Sequence, residues 1–275
     1  MKPARFDYVA AESIEEVVAI LANEGDDARI LAGGQSLIAM LNMRLVKPTV
    51  IIDVTRIPGL DHIVFDGRGL KVNAVATQRS LLELPELAQA SPLLQKALPW
   101  VGHFQTRSKG TVCGSIAHAD PSSELPLCFA VLGGQVLLRS KRGGRVLSAN
   151  EFQTGMLSTA CHADEMIEAV KLHPVPTGVG YAFNEFGYRH GDFAIVAVAA
   201  AVDEKAIRVG VGGVTDRPEV REFPLLSGGA LDDALNDLAW DLRGSDDLHA
   251  TARYRRELVR TLGRRTIEEA KTCRV

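Results

Sequence analysis

Residues 110–126, GTVCGSIAHADPSSELP, are the longest run of small and polar residues in an otherwise apolar chain. Gly110 and Gly114 let the backbone approach another body closely. Thr111 and Ser115 add hydroxyl donors beside backbone N–H groups that can converge on one point. That combination suits an anion such as a pyrophosphate. The run closes in Asp120-Pro121-Ser122-Ser123-Glu124, a turn carrying two carboxylates. A second stretch of like character lies upstream, Ala32-Gly33-Gly34-Gln35-Ser36-Leu37. It follows a predicted strand, Ala28–Leu31, and precedes a helical pattern over 37–45. A strand, a glycine turn and a helix start are the parts of a phosphate cradle. Either loop alone is equally well explained as a tight structural turn; two in one chain favour a dinucleotide. Neither GxGxxG nor GxxxxGK(S/T) occurs, so the common nucleotide fingerprints do not apply.

The strings AGGQSLIAMLNMRL at 32–45 and GTVCGSIAHADPSSELP at 110–126 resemble the two flavin loops of the FAD-binding medium subunits of molybdenum hydroxylases. That family includes carbon monoxide dehydrogenase, quinoline oxidoreductase, nicotine dehydrogenase and the flavin domain of xanthine dehydrogenase. The resemblance extends to FDYVAAESIEEVVAIL at 6–21 and FNEFGYRHGDFAIVAVAAAV at 183–202, and so covers nearly the whole chain. It implies an α+β fold: a two-lobed vanillyl-alcohol-oxidase (PCMH)-like FAD-binding domain, then a carbon monoxide dehydrogenase flavoprotein-like C-terminal α+β domain.

The resemblance also assigns residues. Ala32, Gly33, Gly34, Gln35, Ser36 and Leu37 match one pyrophosphate loop, and Thr111, Gly114 and Ser115 match the other. Glu124 matches an acidic FAD-binding position, with Asp120 a second candidate carboxylate; alone, both read as solvated turn residues. A carboxylate is a good acceptor for ribose hydroxyls. Ile167 matches a backbone contact near the adenine or the ring, and Tyr188 is the expected flank of the isoalloxazine. His118, between two alanines beside the cradle, reads as a hydrogen-bonded neighbour of the cofactor site, with a catalytic base as the alternative. Two positions depart from the family pattern. Cys113 replaces a glycine and is expected to bring a thiol near the flavin. Asn184 stands where relatives often have Lys, an expected loss of a cation near the flavin.

Composition narrows the rest. The 275 residues are 46% hydrophobic and 24% charged, ordinary for a globular protein and enough for two domains. A net charge of −3 and 5% aromatics argue against a nucleic-acid partner. The four cysteines, Cys113, Cys128, Cys161 and Cys273, form no CxxC pair, so neither an iron–sulfur cluster nor a metal site is expected in this chain. His103, His162 and His190 show no zinc-ligand spacing. The N-terminus lacks the apolar segment of a signal peptide, and no apolar run reaches membrane-spanning length, so a cytoplasmic location is expected.

Along the chain, Ser13 and Glu16 read as a capping box opening a helix that Gly25 ends. A continuous β-branched segment at 49–54 predicts a buried strand. Hairpins are predicted at 62–75 and 135–148, helices at 81–90, 93–102 and 125–132, and a strand at 165–172. Pro174, Pro176 and Gly178 mark a linker. Strands near 180–186, 195–202 and 206–211 follow, with a tight turn at Glu204-Lys205, then helices at 231–242 and 251–262 that continue past Gly263. The expected domains are 1–173, with lobes of about 1–56 and 57–173, and 177–275. Glycine loops in different lobes place a shared ligand in the cleft between them.

The functional expectation is an oxidoreductase subunit. By the resemblance, FAD in this chain accepts electrons from two 2Fe–2S clusters on a small partner subunit. The molybdenum cofactor sits on a large partner subunit, NAD or another acceptor receives the electrons, and the assembly is a dimer of heterotrimers. The rival readings are a self-contained FAD oxidoreductase or flavin-binding sensor, and a structural protein without cofactor.

Overall fold

The computed structural model describes residues 2–274. Its first unit is a three-stranded parallel sheet in the order Asp7–Ala10, Val50–Asp53, Ala28–Leu31. The middle strand carries Ile51 and Ile52, both fully buried, as its β-branched run predicts. Helix Ile14–Glu24 covers the sheet through Val17, Val18 and Leu21. Ser13 Oγ accepts from the Glu16 N–H, but the Glu16 carboxylate accepts from the N–H of Glu12 rather than of Ser13. The reciprocal half of the expected capping box is therefore displaced by one residue. Gly25 ends the helix at φ +53° with its N–H on the Leu21 carbonyl.

The second unit is a five-stranded antiparallel sheet, ordered Ile63–Phe65, Leu70–Asn73, Met166–Leu172, Gln135–Ser140, Gly143–Ser148. Both predicted hairpins are present. The helical region differs in detail. In place of two helices over 81–102 the chain forms Gln78–Leu82, Leu87–Ala90 and Pro92–Ala97, because Pro85 and Pro92 cannot lie in a helix interior. Residues 110–126 are more regular than a loop. Thr111 caps a short helix, Val112–His118, by accepting from the Gly114 N–H at 2.9 Å. A second helix, Glu124–Val131, follows and is buried along its whole length.

The third unit is a four-stranded antiparallel sheet in sequence order: Gly180–Phe186, Val196–Val202, Ala206–Gly212 and Glu219–Pro224. Helices Gly228–Asp241 and Ala252–Thr272 pack on one face. The other face joins the core of the second unit, with Tyr181, Phe183, Ala197 and Ala199 inserted beside Leu125, Cys128 and Phe129. A sheet buried on both faces explains the unbroken apolar run at 194–202. No helix among the described residues is long and apolar enough to cross a membrane.

Candidate functional site

The two glycine loops meet. A Cβ added to Gly33 would fall on the carbonyl oxygen of Lys109 and lie 2.8 Å from Gly110 Cα, so only hydrogen fits between the loops. Gly34 takes φ +71°, the left-handed conformation that glycine supplies without strain. Among the described residues the N–H groups of Gly33, Gly34, Gln35 and Ser36 donate to no backbone acceptor, which leaves a run of free amides, a nest for an anion. The helix after them, Leu37–Asn42, is shorter than its pattern predicts.

Together the loops wall a cleft of about 680 Å³. Ala32, Gly33, Gly34, Gln35, Ser36 and Leu37 line one side; Thr111, Gly114, Ser115, His118, Glu124 and Ile167 line the other. Sequence reasoning missed Gln78 and Phe193. Gln78 is 5% exposed, and its Oε1, beside Gly110, is an enclosed acceptor with no donor among the described residues. Phe193 stands at the mouth, 63% exposed. Its loop is held from behind by the stack of His190 on Trp100, ring centroids 5.0 Å apart.

Charge inside the cleft is unusual. Glu124 is 5% exposed, and burial pushes its carboxyl up to about 7; Asp120 nearby adds to the effect and Arg107 opposes it. Glu185, on the strand Gly180–Phe186, is pushed up to about 8 by burial and by Glu124. Glu165 behaves oppositely: Arg145 donates to both its oxygens at 2.7 Å and holds the carboxyl below its ordinary range. The Cys113 and Cys161 thiols, both at the wall, are pushed up to about 12 by burial and so stay protonated.

A family model described as the FAD binding domain in molybdopterin dehydrogenase matches residues 4–176. The chain belongs to the FAD-binding medium subunits of the molybdenum hydroxylases. Subunit alpha of the 6-hydroxypseudooxynicotine dehydrogenase complex of Paenarthrobacter nicotinovorans is 35% identical to it, over 98% of this chain and 96% of the relative. The carbon monoxide dehydrogenase medium chain of Afipia carboxidovorans is 31% identical over 98% of each chain. A chain of quinoline 2-oxidoreductase from Pseudomonas putida 86 superposes with a TM-score of 0.92 at 31% identity, covering 99% of both. The vanillyl-alcohol-oxidase-type FAD-binding fold and the oxidoreductase class expected from the sequence both hold for this medium subunit.

Four expectations about particular side chains change in this medium subunit. Tyr188 does not line the cleft; it is 66% exposed and its hydroxyl donates to the His249 carbonyl at 2.8 Å. The turn after Phe186 sends it outward, and Phe193 is the aromatic residue that reaches the mouth. Asp120 is also outside the lining, with its Oδ1 accepting from the Ser122 N–H in a local turn. Asn184 faces away, donating to Thr266 Oγ1 and Glu269 Oε2 on the C-terminal helix. Cys113 reaches the cleft wall, but its thiol points to the Val72 carbonyl in the core.

Proposed function

We propose that this subunit holds FAD across the cleft and serves as the electron relay of a three-component molybdenum hydroxylase. Electrons would come from two 2Fe–2S clusters on a small partner subunit, behind which a large partner subunit carries the molybdenum cofactor. NAD or another external acceptor would take them away. We further propose a dimer of such heterotrimers, and a chain divided into an FAD-binding domain over 1–173 and a C-terminal domain over 177–275. The relatives' names support the assembly, since they are chains of dehydrogenase complexes.

The observation that carries the reading is the free-amide nest of Gly33–Ser36 closed directly against Lys109–Gly110, in the same cleft as the buried carboxyl of Glu124. Bound flavin would supply the redox chemistry, and the protein supplies binding, orientation and electrostatics. Ala32, Gly33, Gly34, Gln35, Ser36 and Leu37 would hold the pyrophosphate from one side, and Thr111, Gly114 and Ser115 from the other. Glu124 would meet a ribose or ribityl hydroxyl, with His118 alongside. The enclosed Gln78 Oε1 would accept from a cofactor N–H or O–H that now has no counterpart in the chain. Ile167 would pack against the cofactor, and Phe193 would limit access of water at the mouth.

Cofactor extraction tests the first step: FAD is expected, and recovery of FMN alone would remove the role of the second loop. Purification should bring down two further subunits. The isolated chain, loaded with FAD, should not be reduced anaerobically by the substrate of the full complex. Substrate-dependent reduction of that molybdenum-free chain would overturn the relay and favour a self-contained flavoenzyme.

A further inference from the structure

Glu124 is buried and Glu185 half-buried, and one sheet face links them: Glu185 lies opposite Ala197, Ala197 opposite Gly212, and Gly212 packs against Pro121 and Leu127 on either side of Glu124. Glu124 sits in the first turn of the buried helix Glu124–Val131 and faces the cleft. Glu185 lies on the strand Gly180–Phe186, on the same face as Tyr181 and Phe183, which insert into the core beside that helix. Its Oε2 is fully enclosed and has no hydrogen-bond partner. None of the ion pairs among the described residues includes either carboxyl. The other groups facing the pair are Asp120 in the preceding turn, Arg107 on the helix Phe104–Lys109, and Cys128 on the helix of Glu124. His118 stands across the cleft wall. The charged groups on other packed elements are committed elsewhere: Lys96 to Glu269, Arg208 to Glu222 and Glu165 to Arg145.

We propose that Glu124 and Glu185 form a carboxyl pair that takes up a proton from solvent when FAD enters the cleft, so that cofactor capture is coupled to pH. The coupling rests on the reading that FAD occupies this cleft. Two partly desolvated carboxyls whose charges repel cannot both ionise cheaply, and their titrations are linked. The pyrophosphate brings further negative charge into the same low-dielectric space and excludes water from Glu124. Both effects favour the protonated pair. A protonated Glu124 keeps an acceptor oxygen for a ribose hydroxyl and gains a donor. Glu185 acts only through Glu124 and is a positioning residue. Because Glu124 and Glu185 titrate near about 7 and about 8, the coupling falls in the physiological range.

The test is calorimetric titration of the flavin-free chain with FAD near neutral pH, in two buffers of different ionisation enthalpy. Net proton uptake is expected. By linkage, the dissociation constant should rise with pH above about 7, toward ~tenfold per pH unit for each proton taken up. Glu185→Gln should lower the uptake, and the double variant E124Q/E185Q should abolish it and flatten the pH profile. The flavin-free wild type should also show an infrared band of protonated carboxyl at pH 7 that each single Gln variant weakens, a readout independent of how the double variant folds. FAD binding with no proton exchange, or with release, overturns the coupling. So does an unchanged uptake in the double variant, or the absence of the infrared band. A chain that binds no FAD at any pH instead overturns the cofactor assignment, and the coupling with it.

Discussion

Replacing Gly33 by Ala adds one methyl group at the seam between the two loops. The new Cβ would overlie the Lys109 carbonyl oxygen and lie 2.8 Å from Gly110 Cα and 2.9 Å from the Lys109 carbonyl carbon. Carbon contacts become favourable near ~3.5 Å, and the Lys109 carbonyl oxygen is the nearest obstacle, so the loops must part by roughly 1 Å or carry the strain. Lys109 and Gly110 present backbone rather than a flexible side-chain tip, so there is no cheap local escape. Overpacking of this kind costs about 1–3 kcal/mol. If the loops part, the loss appears in cofactor binding, as a rise of roughly 5–150-fold in the FAD dissociation constant. If they stay together, it appears in folding stability. The two are separable by quenching of flavin fluorescence on binding and by urea denaturation of the flavin-free chain. Gly229→Ala is the control: its Cβ meets nothing within 4 Å in the helix Gly228–Asp241, and it should stabilise by about 0.5–1 kcal/mol without touching FAD. A Gly33→Ala chain with wild-type affinity and wild-type stability would refute the close approach of the loops.

Gly34→Val places a β-branched residue at φ +71° with its Cβ 3.1 Å from Ile38 Cγ1, and should lose FAD while the circular-dichroism spectrum stays folded. Gly114→Ala sets a Cβ 2.5 Å from Thr111 Oγ1, so it should break the cap of its own helix and cost about 1 kcal/mol in urea denaturation even without FAD. Glu124 and Glu185 rise from an ordinary 4.5 to about 7 and about 8, so between those limits the folded chain binds more protons than the unfolded one. Stability of the flavin-free chain should therefore fall as pH rises from about 4.5 toward 8, by at most ~1.4 kcal/mol per pH unit per group, and E124Q/E185Q should flatten the profile; a wild-type profile that rises through this window would contradict it. Arg255 is 5% exposed and donates to the Ile195 and Gly213 carbonyls and to Asp247, so Arg255→Met should destabilise by about 3–5 kcal/mol, read as a lowered denaturation midpoint.

Which elements were legible follows from how each is stabilised. The strand Val196–Val202 was readable because both faces are buried and the sequence is apolar throughout. Among the strands that were missed, two do not carry the signal in their own sequence. Asp7–Ala10 is largely exposed and owes its conformation to parallel pairing with Val50–Asp53. Glu219–Pro224 is an edge strand whose Glu219, Arg221 and Glu222 break any apolar alternation, although charge on an edge is what blocks further pairing. The helix Val112–His118 was hidden by the same small residues that marked the loop as a binding segment, since glycine and serine lower helix propensity while Thr111 supplies the cap. At the cleft, the glycine loops were legible because backbone approach leaves a mark in composition. Gln78 was not: a Gln opening a short helix is unremarkable until its Oε1 is found enclosed and without a donor.

The C-terminal part of the chain reaches the cleft through Gly191, Asp192 and Phe193, and strand periodicity decides what lies behind them. Along Gly180–Phe186 successive side chains alternate, so Tyr181, Phe183 and Glu185 turn to the second unit while Ala182 and Asn184 turn to the C-terminal helices. A change at position 184 therefore falls on Thr266 and Glu269 rather than on the cleft. A change at position 185 is felt by Glu124 and through it by the cleft. The connection from the same strand to Val196–Val202 then returns over the mouth with Gly191, Asp192 and Phe193. One strand and its following loop thus carry a carboxyl with an enclosed oxygen, Glu185, and an aromatic ring at the cleft, Phe193. Both are anchored to a sheet that is buried on two faces and has little freedom to shift. On the proposed pairing, charge at this site runs through Glu185, one residue along from Asn184, where the family resemblance placed it.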